Sequence, residues 1–187
     1  MEHFFYDKYR LGLWELQHDV IFGKIPAERY SELIDLAWDA GRTTADEYRE
    51  KYQTSVPEKL AEKMGVAIVD LADGATLPDY QVFSEYFSNL KKIVLYKNTI
   101  FAATVRLAAE GIIPCADYLA VRKLFIAHEI FHHIECHYHG LTSQRCKVTT
   151  FRLGPLKITS GVRALCEIGA HSFTKTLLNM NGEEKHV

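Results

Sequence analysis

Apolar positions in the first third of the chain recur at helical spacing. Leu33, Ile34, Leu36, Ala37 and Trp38 share a side of a helix predicted over residues 27–40, with Gly41 as its C-terminal stop. Thr44-Ala45-Asp46-Glu47 has the form of a capping box and predicts a new helix start, because a Thr hydroxyl and a Glu carboxylate can satisfy free N–H groups there. Ser55-Val56-Pro57-Glu58 repeats the device and opens a short helix that ends near Gly65. The pattern then changes. Residues 66–69 are apolar and mostly β-branched and predict a strand, followed by a turn at Asp73-Gly74. Residues 93–96 predict a second strand, and residues 100–110 a helix that stops at Gly111. Beyond Pro114 a long helix is predicted over 117–139, closed by Gly140. Residues 146–151 alternate weakly, Leu153-Gly154-Pro155 turns, and residues 156–159 return as a hairpin. A last helix spans 162–180, and residues 181–187 form a polar, frayed tail.

This order predicts an α+β chain with a helical N-terminal segment over 1–53 and a second unit over 54–187. No Gly/Ser-rich linker marks that boundary, so the alternative is that the first 50 residues pack directly on the rest.

Composition narrows the class. The chain has 187 residues, 48% of them hydrophobic and 25% charged, which is enough apolar surface for a core without disulfide staples. Lys plus Arg is 22 against 24 for Asp plus Glu, a net charge of −2 that argues against a surface built to grip nucleic acid. The four cysteines form no C-x-x-C pair and match no zinc-finger spacing. The first residues have neither the basic nor the apolar region of a signal peptide, and no apolar run approaches the roughly 18 residues of a membrane span. A cytoplasmic protein with reduced thiols is expected.

Histidine changes the picture. There are nine, and five fall between positions 128 and 139. His128-Glu129-Ile130-Phe131-His132 is H-E-x-x-H. Residues four apart on a helix lie one above the other, so His128 and His132 can direct two imidazoles at one zinc ion. Glu129, one residue on, lies beside the metal, where a base for an activated water belongs. A surface helix with two satisfied histidines is the alternative. The apolar setting, Leu124, Phe125, Ala127, Ile130, Phe131 and Ile134, favours the metal.

Catalytic zinc needs a third protein ligand and an open position. The metzincin pattern fails, because Glu135 stands at its Gly position and Tyr138 at its last His. His137 and His139 are near misses. A straight helix carries His139 about 10 Å along the axis from His132. Glu167 is the other candidate. It is the only acidic residue between Glu135 and Glu183 and sits in a nearly uncharged stretch, where a carboxylate is costly unless paired or bound to metal. A half-exposed glutamate on an amphipathic helix is the alternative. Cys136 and Cys166 read as small buried apolar residues. Tyr118 and Tyr138 suit core or rim packing better than an oxyanion role. His133 and His137 stay unassigned.

Phe125-Ile126-Ala127-His128-Glu129-Ile130-Phe131-His132-His133 resembles the Phe-x-x-Ala-His-Glu-x-x-His signature of the ImmA/IrrE metallopeptidases. Glu167-x-x-Ala170-x-x-Phe173-x-x-x-Leu177-Leu178-x-Met180 resembles that family's second motif, and residues 57–66 are similar to the helix and strand that open its domain. The resemblance covers about residues 55–180. It implies a zincin-like fold, with a small sheet packed on the H-E-x-x-H helix. It implies a cytoplasmic zinc endopeptidase acting on a regulatory protein, often a helix-turn-helix repressor. His128, His132 and Glu167 would be ligands and Glu129 the base. A non-catalytic, zinc-stabilised regulator that binds a partner protein is the alternative. Two departures stand out. His171 occupies the position four after Glu167, where the family usually has Asn or Asp. It could hold a ligand imidazole, donate to an oxyanion, or lie on the helix surface. The chain also stops soon after Met180, without the family's proline, which leaves substrate recognition to be absent or supplied by residues 1–53.

Overall fold

The structure, a computed structural model, describes residues 2–73 and 81–180. A 3-10 turn at Glu2–Phe5 leads into α1 (Lys8–His18), started by Asp7, whose carboxylate accepts from Tyr9 N and Arg10 N. Then comes α2 (Tyr30–Tyr52), a single helix of 23 residues. Here the sequence pattern misleads. Gly41 does not end a helix, and Thr44 does not cap one, because α2 passes through both and buries them. The glycine serves contact. A Cβ on Gly41 would stand 2.1 Å from the carbonyl oxygen of Gly169 in the last helix. Only a residue without a side chain lets the two backbones approach so closely.

α3 (Pro57–Lys63) follows, with Val56 at its cap position and no side-chain cap. Pro57 at the first turn starts this helix, not Ser55, since its missing N–H would be unsatisfied there anyway. Gly65 ends it at φ +69°. β1 (Ala67–Leu71), β2 (Ser84–Phe87) and β3 (Lys92–Tyr96) form a sheet in the order β1-β3-β2. β1 runs parallel to β3, and β2 runs antiparallel to it as an edge strand. The sequence pattern contains β1 and β3 but not β2, which is four residues long and has no β-branched side chain. Gly74 of the predicted turn lies outside the described residues, as do residues 181–187.

α4 (Lys97–Ala109) follows β3, and α5 (Tyr118–Ile134) starts at Asp117, whose carboxylate accepts from Ala120 N at 3.0 Å. α5 is shorter than predicted. Its last turn widens into a π-helical turn at Glu135–His139 before Gly140. β4 (Lys147–Leu153) and β5 (Leu156–Gly161) make the predicted hairpin, and α6 (Ala164–Leu177) ends the described chain. The fold is therefore mixed α+β, with a helical N-terminal region and, among the described residues, two small sheets. No helix among the described residues is long and apolar enough to cross a membrane.

Both core clusters draw side chains from either side of residue 53. One gathers Phe4, Ala45 and Tyr48 with Leu60, Ile93, Leu95, Phe125, Ile130, Phe131 and Phe173. The other joins Leu16, Leu33 and Ala37 to Val162, Leu165 and Ile168. Burying each large side chain of this kind stabilises the fold by roughly 1.5–3 kcal/mol. These contacts lay α1 and α2 along α6. The start of α6 is itself capped from that side, since Asp19 Oδ2 accepts from Ala164 N at 2.8 Å.

Candidate metal centre

α5 and α6 cross with their chemistry facing one pocket of about 770 Å³. The i, i+4 spacing on α5 brings His128 Nε2 and His132 Nε2 to 3.2 Å. From the first turn of α6, Glu167 Oε2 meets His128 Nε2 at 3.1 Å, and its Oε1 stands 3.6 Å from His132 Nε2. Tetrahedral donors around zinc, at bonds of 2.0–2.1 Å, stand about 3.3 Å from one another. The separations of the imidazole nitrogens from each other and from the two Glu167 oxygens lie around that value, and one donor atom from each residue lies within 4.8 Å of the others, so the set suits a divalent cation. Two imidazoles and a carboxylate also leave room for a fourth ligand.

Electrostatics favour an ionised Glu167 and a protonated His132, which would give up its proton to a bound metal. Packing around Glu167 opposes its ionisation, but the imidazoles of His132 and His128 outweigh it and hold the carboxyl well below the usual range. Burial in turn works against a charged His132, while Glu167 and Glu135 push its pKa well above the usual value. Glu135 was not singled out in the sequence, where it figured only as a mismatch to another pattern. It is 2% exposed, lies 3.4 Å from His132 Nδ1, and accepts from Thr142 N at 2.6 Å through its other oxygen. A carboxylate behind an imidazole orients the ring and turns Nε2 toward a metal. The one legible signal was an acidic side chain three residues after the second motif histidine.

Glu129 is buried beside the triad and is not part of it. Ser84 Oγ, on the edge strand β2, donates to its Oε1 at 2.6 Å. The other histidines of the cluster lie elsewhere. His133 is fully buried, and Tyr86 Oη stands 2.6 Å from its Nδ1 and 2.9 Å from His137 Nε2. A hydroxyl has one proton, so Tyr86 donates to one ring and accepts from the other, pinning β2 to α5. Burial lowers His133 to about 4, which keeps it neutral. The π-helical turn takes His139 towards Glu47 and Tyr48. Tyr118 and Tyr138 do not line the pocket, whereas Tyr86 does. Cys136 is exposed, against the buried reading, because the turn unwinds at its position. Cys166 is half-buried, and burial pushes its thiol up to about 11.

His171 is not on the helix surface, because α1 covers it. It is 2% exposed, and its Nε2 meets Glu15 Oε1 at 2.9 Å. Its ring lies 5.1 Å from that of His128 without a hydrogen bond between them, and its Nδ1 is buried without a partner. Of the three roles open to it, a hydrogen bond to a ligand imidazole is not made, and its Nε2 goes to Glu15. Burial, reinforced by Glu167, pushes Glu15 up to about 7. His3 joins them. Among the described residues, two groups of three side chains have donor atoms within 4.8 Å of one another, His128-His132-Glu167 and His3-Glu15-His171. Nothing in the local sequence marks His3 or Glu15.

Comparison with protein-family models, curated proteins and solved structures finds no match for this chain. The site geometry therefore carries the functional reading.

Proposed function

We propose that this protein is a zinc-dependent endopeptidase of the ImmA/IrrE type, with a zincin-like fold, that cuts a regulatory protein such as a helix-turn-helix repressor in the cytoplasm. One observation carries the reading. The H-E-x-x-H helix and Glu167 bring two imidazole nitrogens to 3.2 Å of each other and the two Glu167 oxygens to 3.1 and 3.6 Å of them, with the Glu129 carboxylate beside them in an open pocket. His128, His132 and Glu167 would hold the ion. Bound there, zinc would supply a Lewis acid that polarises a carbonyl and lowers the pKa of water from 15.7 towards about 7.

The protein's own groups do the rest. Glu129 takes the proton from the attacking water and passes it to the leaving amine. Ser84 holds that carboxylate in place. β2 is an edge strand whose residues 84–86 line the pocket, so an extended peptide can add to the sheet along it. Tyr86, gripped by His133 and His137, keeps that strand against α5.

Glu129→Gln tests the reading. It keeps the size and a hydrogen-bonding amide but accepts no proton. Zinc content and folding are expected to stay normal, while cleavage of a co-purifying partner or of a repressor encoded beside the gene falls about 10²- to 10⁴-fold. If zinc-loaded wild type binds that partner and leaves it uncut, the protein is instead a zinc-stabilised regulator.

A further inference from the structure

We infer that His3, Glu15 and His171 form a second divalent-cation site in the same pocket, so that the pocket holds two metal ions. The donor set repeats the first, two imidazoles and one carboxylate, a combination suited to zinc and its neighbours. The three donor atoms lie within 4.8 Å of one another, and His171 Nε2 and Glu15 Oε1 are already at 2.9 Å. Three separate segments converge to make the group: the N-terminal 3-10 turn, α1 and α6.

Two further observations point to a cation. The first is charge. Four glutamates line the pocket among the described residues, Glu15, Glu85, Glu129 and Glu167, with no Lys or Arg. Of the four, only Glu167 belongs to the first group. Glu15 is 8% exposed, and among the described residues no Lys or Arg pairs with it. A buried carboxylate facing only imidazoles is costly, and a metal ion removes that cost. The second is His171. Its ring is 2% exposed, and its one hydrogen-bond partner among the described residues is Glu15, through Nε2, the nitrogen that would bind the ion. His3 is held in plane by stacking on Trp14, with ring centroids 4.0 Å apart and an angle of 15°.

The two groups are neighbours, since the rings of His128 and His171 are 5.1 Å apart. Paired metals in hydrolases clamp one substrate from two sides. A second ion here would let the N-terminal segment take part in metal binding directly, through His3 and Glu15.

Metal counting tests the site without any substrate. Untagged protein is loaded with zinc, dialysed and measured by elemental analysis, and metal-free protein is titrated with cobalt(II) while its visible absorption is followed. Two zinc ions per chain are expected in the wild type, and one in Glu15→Gln and in His3→Ala. Cobalt titration should show two phases in the wild type and one in each variant. Saturation of the wild type at one ion, or retention of two ions by both variants, overturns the proposal. Glu15 is buried, so Glu15→Gln is checked by circular dichroism. Should it misfold, His3→Ala, on a half-exposed turn, decides alone. The peptidase reading is scored separately. A protein that holds two ions and cuts nothing keeps this site and loses that reading, and one that cuts with a single ion does the reverse.

Discussion

Glu167 and Glu15 face the same pocket, each beside a histidine, and their surroundings drive them in opposite directions. Glu167 sits between two imidazoles that hold its carboxyl well below the usual range against the cost of packing. Glu15 is pushed up to about 7 by burial, with Glu167 adding to the shift and His128 opposing it. Behind the first group stands Glu135, itself anchored by a backbone N–H, which sets the ring of His132. In the first group Glu167 is thus ionised and the His132 ring aligned in advance, and a bound metal would displace the His132 proton. The second is assembled by the docking of α1 on α6 and by the stacking of His3 on Trp14. Donor identity alone does not make two sites alike, because the pKa of each carboxylate is set by burial and by its nearest charges.

The largest break in this comparison should come from His132→Ala. It removes one donor and leaves Glu135 buried without its imidazole. Elemental analysis should show the loss of one full zinc equivalent, with the cobalt spectrum of the His3-Glu15-His171 group retained. Loss of both ions together would mean that the groups are not separable.

Gly41→Ala should come next, and it acts on the element that both groups share. The new methyl would meet the backbone of Gly169, only two residues from Glu167 and two from His171. Overpacking against backbone costs about 3 kcal/mol, which in a chain of this size lowers Tm by about 6–12 °C. Calorimetry measures the stability loss, and zinc titration should show weaker binding at both groups.

Glu135→Ala should have the smallest and most selective effect. Loss of the carboxylate behind His132 is expected to weaken zinc about 10- to 100-fold at the first group and leave the second unchanged. Equal weakening at both would remove Glu135 from its orienting role.

How much of this was legible depended on sequence distance. His128, Glu129 and His132 could be placed relative to one another from the chain alone, because helical spacing is set by local backbone geometry. Glu167 could be singled out because a lone carboxylate in an apolar stretch must find a partner. The hairpin at β4 and β5 was legible from its turn. Gly41 was misread because a glycine required for close helix contact looks the same in sequence as one that ends a helix. β2 was missed because its place at the sheet edge comes from pairing with β3, not from its own residues. The bonding of His171 was unreadable for the same reason, since Glu15 lies 156 residues away.

The amino-acid sequence by itself determined the α+β class, the two imidazoles on one helix face, the carboxylate beside them and the best candidate for a third donor. All of these follow from spacing within a few turns or from the cost of an unpaired charge. Tertiary structure alone decided that Glu135 stands behind His132, that Ser84 grips Glu129, and that His3 and Glu15 reach His171. Those contacts exist only because α1 and α2 lie on α6, with Gly41 allowing the approach and Asp19 capping the helix, and packing of that kind depends on surfaces from distant parts of the chain meeting at once.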